Sequence, residues 1–195
     1  MITENRSWSF FLDHVNNFAC IDNAFPPSDL DQIIEYCKAY GLEDAKIENE
    51  ELNNDVRKNK SVFIGPTELK GLYRRLTDIC VTLNNEYFKF DVFGFMEGLQ
   101  FTEYNAPDNH YSDHIDKLYA GVVRKLTMVL QLTDPDEYEG GDLELILGAG
   151  VDTVKVKRTR GSLILFPSYV LHRVTPITKG KRHSLVGWVT GKPFV

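Results

Sequence analysis

The sequence is poor in the residues that staple, span or coat. Three cysteines occur in 195 residues, Cys20, Cys37 and Cys80. They are widely spaced and odd in number, which excludes a disulfide framework and a CxxC metal knuckle and points to a reducing compartment. No apolar run approaches the roughly 20 residues needed to cross a bilayer. The early cluster of Trp8, Phe10, Phe11 and Leu12 is too short for a secretory h-region and lacks the cationic lead. The expected location is therefore cytoplasmic, with no membrane partner. Positive charge is also in deficit: 22 Lys and Arg stand against 28 Asp and Glu, a net charge of −6. That balance argues against a nucleic-acid partner and favours a basic or Pro-rich one. Repeats and low-complexity segments are missing as well.

What is present reads as one α+β domain over residues 1–195, large enough to bury a core without staples. Leu30, Ile33, Ile34 and Cys37 form an i, i+3, i+4, i+7 stripe after Pro26-Pro27. Ser28 is the expected N-cap of that helix and Gly41 its stop. A second helix is expected to open near Pro66-Thr67, with Leu69, Leu72, Tyr73, Leu76, Ile79, Cys80 and Leu83 on one face. From about residue 87 the texture changes to short apolar runs at 88–104, 125–132, 142–147, 151–156, 162–167 and 184–190. Gly140-Gly141, Gly161 and Gly180 are among the breaks. Closely spaced strands of this kind predict a sandwich or jelly-roll barrel over about 87–195, buttressed by helices in about 1–86. The basic run Lys155, Lys157, Arg158 and Arg160 fits the solvated face of an edge strand, since Lys155 and Lys157 share a parity.

Chemistry concentrates in three places. In Tyr111-Ser112-Asp113-His114-Ile115-Asp116, His114 and Asp116 project to one side of an extended chain, so an imidazole and a carboxylate can share a metal ion. A surface His beside a turn Asp would give the same letters. His172 follows the apolar run ending at Phe166-Pro167, 56 residues beyond Asp116, far enough for a later strand to return beside the first. It would complete a two-His, one-carboxylate triad, the donor set of non-haem Fe(II) oxygenases, although a His after an apolar strand is also a common structural residue. Arg182 comes ten residues later and shares its parity with Ser184, Val186 and Trp188. Facing inward it requires an anion, and its planar fork suits a carboxylate; facing outward it is one surface cation among several.

Taken together, the HxD pair, the distal His and the Arg ten residues after it resemble the 2-oxoglutarate and Fe(II)-dependent dioxygenases, most closely the prolyl 4-hydroxylase-like branch. Tyr104, ten residues before His114, resembles the family's cosubstrate-binding Tyr. The block from Gly161-Ser162 to Phe166-Pro167, followed by His172-Arg173-Val174, is similar to that of bacterial PKHD-type hydroxylases. The likeness runs over about residues 90–190 and is looser at 16–40. It implies a double-stranded β-helix in which His114, Asp116 and His172 hold Fe(II). It also implies that Arg182 and Tyr104 bind the far carboxylate of 2-oxoglutarate, with Val174 and Trp188 lining the pocket. O₂ would be the second cosubstrate and ascorbate a stimulant. Gln131 stands where some prolyl hydroxylases have a second Tyr; Thr127 and Gln131, on one face of their strand, would supply the missing donors.

The implied reaction is hydroxylation of a prolyl residue in a peptide or protein, with release of succinate and CO₂. A small-molecule or amino-acid hydroxylase of the same superfamily, or a cupin-like metalloenzyme without 2-oxoglutarate, is the alternative. A jelly-roll binding module with an accidental triad is the non-enzymatic one. The polar, Asn-rich segments 51–62 and 106–113 are either substrate-covering loops or ordinary exposed ones.

Overall fold

The structure, a computed structural model, describes residues 15–46, 52–116, 118–119, 121–148 and 153–193. The apolar cluster at residues 8–12 and the first two residues of the expected strand 151–156 lie outside them. The elements are β1 (Ala19–Ile21), α1 (Pro27–Ala39), β2 (Glu43–Asp44), β3 (Arg57–Lys58), β4 (Lys60–Ile64), α2 (Lys70–Leu83), β5 (Val92–Phe95), β6 (Leu99–Asn105), β7 (His110–His114) and β8 (Leu118–Tyr119). They continue with β9 (Val122–Gln131), β10 (Tyr138–Gly140), β11 (Leu143–Ile146), β12 (Thr153–Lys155), β13 (Leu163–Pro167), β14 (Leu171–Val174) and β15 (Ile177–Gly191). A large sheet runs β1-β13-β9-β15-β6-β4-β2, and a smaller one β12-β11-β14-β7-β3.

Period-two alternation builds the layers. On the four central strands of the large sheet, Leu99 and Phe101, Leu126, Met128 and Leu130, Leu163 and Leu165, and Leu185 and Val189 share one cluster. Leu30, Ile33 and Cys37 of α1 and Tyr73, Leu76 and Cys80 of α2 belong to the same cluster. The intervening residues Tyr104, Val129, Ile164 and Phe166 turn the other way and meet Leu143, Leu145 and Val174 of the smaller sheet. The site therefore opens between the sheets, on the side away from the helices.

Several expectations need correction. α1 begins at Pro27 with Pro26 at the N-cap and no side-chain cap; the Ser28 hydroxyl reaches Asp29 instead. The Asp29 N–H that such a cap would serve donates to the Pro26 carbonyl at 3.0 Å instead. α2 starts at Lys70, after Leu69, rather than near Pro66-Thr67, and ends in a single π-turn at Asn84–Phe88. Strands also precede residue 87. Half of the expected loop 51–62 is β3 and β4, and β4 pairs along its length with β6. The segment 106–113 is a turn running into β7, pinned by Asn109, whose Oδ1 accepts the Asn105 N–H at 3.0 Å. Gly180 does not break its strand: β15 passes straight through it. Its φ of +72° and the Glu137 carbonyl, only 2.0 Å from where a Cβ would stand, make it a close approach of β10 to β15. The basic run agrees with expectation: Lys155 and Lys157 are exposed on and just after the edge strand β12, and the run is held by ion pairs. Lys155 pairs with Asp142, Lys157 with Asp22 and Arg160 with Asp31, while Arg158 donates to the Tyr138 carbonyl.

Candidate metal and cosubstrate site

β7 and β14 pair antiparallel with His114 opposite His172, so strand register alone brings the two imidazoles together. Their ring centroids are 4.1 Å apart. Asp116 follows at the end of β7, where its backbone N–H donates to the Ser168 carbonyl at 2.9 Å. His114 Nε2 lies 3.8 Å from Asp116 Oδ1, and His172 Nε2 lies 3.4 Å from Asp116 Oδ2. The three donor atoms fall within 4.8 Å of one another.

The imidazole tautomers are fixed from behind. Nδ1 of His114 sits 2.8 Å from the Ser112 carbonyl, and Nδ1 of His172 sits 2.9 Å from the Val170 carbonyl. A carbonyl only accepts, so each Nδ1 carries the proton and each Nε2 lone pair points into the site. Burial, and next the neighbouring His172, push the His114 pKa down to about 4, keeping the ring neutral. Burial alone would raise the Asp116 carboxyl, but His172 and His114 beside it hold it well below the usual carboxylate range. Two imidazole nitrogens and one carboxylate suit a divalent first-row ion and leave coordination positions open.

Arg182 is the largest fully buried side chain, 1% exposed. Its Nη2 donates to Gln131 Oε1 at 2.9 Å, while Nε and Nη1 are buried without a partner. A guanidinium cannot neutralise itself, so two orphaned donors on a buried fork call for an anion. The fork of a carboxylate fits them. Tyr104 lies under the same guanidinium, ring centroid to Cζ 5.5 Å, and burial raises its phenol pKa.

Tyr104, His114, Asp116, Thr127, His172, Val174, Arg182 and Trp188 line one cavity of about 570 Å³. Gln131 does not line it; it stands behind Arg182 and orients it. Thr127 lines it, yet its hydroxyl donates to Asp116 Oδ2 at 3.0 Å. Both residues of this face thus brace other side chains rather than face the cavity as free donors. The Trp188 ring lies under the Arg124 guanidinium at 3.8 Å, and Arg124 is held by Glu97. Arg57, Arg124 and Ser168 escaped the sequence reading, whereas Tyr111 was expected near the metal and does line the cavity. Arg57 and Ser168 belong to no spacing motif, and Arg57 reaches the cavity only because β3 pairs with β7.

Residues 99–190 match the family model described as the 2OG-Fe(II) oxygenase superfamily. That stretch, which holds the metal cluster and Arg182, is similar to the 2OG-Fe(II) oxygenases. The cofactors of this oxygenase family are Fe(II) and 2-oxoglutarate, and the triad and the orphaned Arg182 fork are chemically suited to them. A PKHD-type hydroxylase of Prochlorococcus marinus is 37% identical over 119 residues, 59% of this chain and 52% of that protein. One from Acaryochloris marina is 41% identical over 80 residues, 40% of this chain and 36% of that protein. The chain spans about half the length, or less, of the curated relatives it matches. Among solved structures, a Pseudomonas putida prolyl-4-hydroxylase superposes with a TM-score of 0.72 at 22% identity, covering 91% of this chain and 94% of that one. A Trichoplax adhaerens prolyl hydroxylase, solved with a hypoxia inducible factor peptide, gives 0.77 at 20% identity over 90% and 84%. At these identities the likeness is one of fold, the double-stranded β-helix. Among the described residues no helix is long and apolar enough to cross a membrane.

Proposed function

We propose that the oxygenase domain hydroxylates prolyl residues of a peptide or protein, consuming 2-oxoglutarate and O₂ and releasing succinate and CO₂. The observation that carries this reading is the pairing of the His114, Asp116 and His172 cluster with the two unpartnered donors of Arg182 in one cavity. In the proposal the triad holds Fe(II) and Arg182, with Tyr104, holds the distal carboxylate of 2-oxoglutarate. The helices before residue 87 support the catalytic barrel within a single domain.

The group bound there supplies the oxidation of an unactivated C–H bond. The chain supplies position. Ser112 and Val170 carbonyls aim the imidazoles, the Thr127 hydroxyl fixes the Asp116 carboxylate, and Gln131 fixes the Arg182 fork. Val174 packs beside the cosubstrate and Trp188 closes the flank. The Tyr111 ring stacks on His114 with centroids 3.5 Å apart and would shield that ligand's flank from water. The prolyl assignment draws support from the prolyl hydroxylases that share the fold, one of them solved in complex with a peptide.

The test adds 2-oxoglutarate to the Fe(II) protein under nitrogen, then admits O₂ with Pro-containing peptides. A weak visible charge-transfer band and a gain of one oxygen atom on Pro, read by mass spectrometry, are the expected results. Succinate release driven by free amino acids and by no peptide would overturn the prolyl assignment. A missing band would overturn the oxygenase reading.

A further inference from the structure

Arg57 carries a positive charge into the cavity with no anion to meet it. The residue is only 8% exposed. Its Nε donates to Asn59 Oδ1 at 2.8 Å and its Nη2 to Gln100 Oε1 at 3.2 Å, both neutral amide oxygens. Among the described residues no carboxylate forms an ion pair with it, and Nη1 makes no hydrogen bond. The guanidinium lies over the Tyr111 ring at 4.6 Å, and Tyr111 stacks on His114. Arg57 lines the same cavity as the triad and Arg182. A charge buried in this way is costly unless paired, and neutral amides do not pair it.

The neighbouring charges identify what is missing. Arg124, another buried guanidinium of this lining, is already matched by Glu97. On the reading given under Proposed function, on which this inference rests, the two positive charges of Fe(II) are balanced by Asp116 and one carboxylate of 2-oxoglutarate. The second carboxylate balances Arg182. Among the described buried residues of the lining, Arg57 is then the cation left without a counter-charge.

We propose that Arg57 recognises a carboxylate of the primary substrate and that the enzyme selects substrates bearing one close to the hydroxylated carbon. That carboxylate is either the α-carboxylate of an amino acid or chain terminus, or the side chain of an Asp or Glu next to the target residue. The net acidity of the whole chain favours a basic partner, but selection deep in the cavity follows the charge nearest the ligand, here the buried Arg57, with Glu43, Asp44 and Lys46 exposed at the rim.

The test uses matched pairs on the Fe(II) protein with 2-oxoglutarate under nitrogen. One set is the N-acetyl derivatives of the proteinogenic amino acids, each as free acid and as carboxamide. The other is amidated tripeptides differing only as Asp against Asn, or Glu against Gln, beside the central residue. Binding is read by calorimetry and by the perturbation of the charge-transfer band. In at least one pair the acid binds roughly 10- to 100-fold tighter than its amide, the range of a charge-assisted contact. The first set winning identifies an α-carboxylate, the second a side-chain one. In Arg57→Gln the winning pair becomes equal within about twofold, while 2-oxoglutarate affinity stays within about twofold of wild type. Arg57→Lys, which keeps the charge and loses the fork, retains part of the preference and carries the test where Arg57→Gln does not fold.

The proposal is overturned if no acid outbinds its amide in the wild type, or if the advantage survives in Arg57→Gln. It is also overturned if Arg57→Gln weakens 2-oxoglutarate as strongly as Arg182→Ala does, which would put Arg57 on the cosubstrate. A wild-type protein with no charge-transfer band would mark failure of the oxygenase reading itself, and this proposal would fall with it.

Discussion

The two faces of the four central strands obey opposite rules. Toward the helices, β6, β9, β13 and β15 present Leu99, Phe101, Leu126, Met128, Leu130, Leu163, Leu165 and Leu185, all fully buried. Toward the smaller sheet β6, β9 and β15 present Gln100, Thr102, Tyr104, Thr127, Gln131, Arg182, Ser184 and Trp188, buried too but polar or amphipathic, while β13 presents the apolar Ile164 and Phe166. The first face is stabilised mainly by close packing of apolar side chains, which makes few demands on direction; Glu103 and His183 are a polar pair within it. On the other each polar group must find a partner, and nearly all do: Thr102 with Ser184, Thr127 with Asp116, Gln131 with Arg182. The exceptions lie at the cavity: Nε and Nη1 of Arg182 and Nε1 of Trp188. Unmet donors on an otherwise satisfied surface show where a ligand belongs.

This contrast can be broken from either side. The largest effect is expected at the metal cluster. Replacing His114, Asp116 or His172 by Ala removes one of three ligands and abolishes turnover, while circular dichroism and the thermal midpoint stay close to wild type. Full iron occupancy and activity in Asp116→Ala would refute the assignment. On the apolar face, Leu130→Ala opens a cavity and lowers unfolding stability by about 2–5 kcal/mol in urea titrations, with 2-oxoglutarate affinity unchanged. Equal loss of affinity and stability there would mean that the two faces are not separable.

Arg182→Ala should raise the 2-oxoglutarate KM roughly 30- to 1000-fold, about 2–4 kcal/mol, with Arg182→Lys between it and wild type. A KM unmoved in Arg182→Ala would assign the distal carboxylate to another group.

The smallest effect concerns acid. His183 points to the helix side, where it stacks on Phe101 and its Nε2 lies 3.0 Å from Glu103. The carboxylate only accepts, so Nε2–H donates and Nδ1 takes the Thr133 hydroxyl. Burial above all lowers the His183 pKa, so the unfolded chain takes up that proton first and stability declines as pH falls below the ordinary His value. Glu103 resists burial, which would raise it, through Asn105, His183 and Lys181, and is brought down to about 2. Its contribution is present above the ordinary Glu pKa of 4.5 and is lost as pH falls from there toward 2. Urea midpoints at pH 7.5, 5.5 and 4 should therefore decrease in that order, with a shallower upper step in His183→Gln. A midpoint that rises on acidification would contradict this assignment.

Much of the central barrel was legible because alternation is local. The parity of Arg182, Ser184, Val186 and Trp188 predicts one face, and all four line the cavity. The HxD spacing and the return of His172 are likewise carried by strand geometry, and His114 and His172 sit opposite in register. The expected breaks were less reliable. A glycine signals either a turn or a close approach, and at Gly180 it is the second, because the partner that approaches, Glu137, lies in a different segment. Loops 51–62 and 106–113 were misread for a similar reason: short polar strands such as β3 and β4 acquire their pairing from β7 and β6, not from their own composition.

The sequence by itself determined the alternation of the barrel strands, the apolar stripes of the two helices and the order and spacing of the His, Asp and Arg that form the site. These follow from backbone periodicity, which each segment carries alone. Only the tertiary structure decided that Thr127 braces Asp116, that Gln131 braces Arg182 from 51 residues away, and that Arg57 reaches Gln100 across 43 residues to leave a cation in the cavity. Such roles depend on which donors and acceptors remain once distant strands have paired, and no local pattern encodes that remainder.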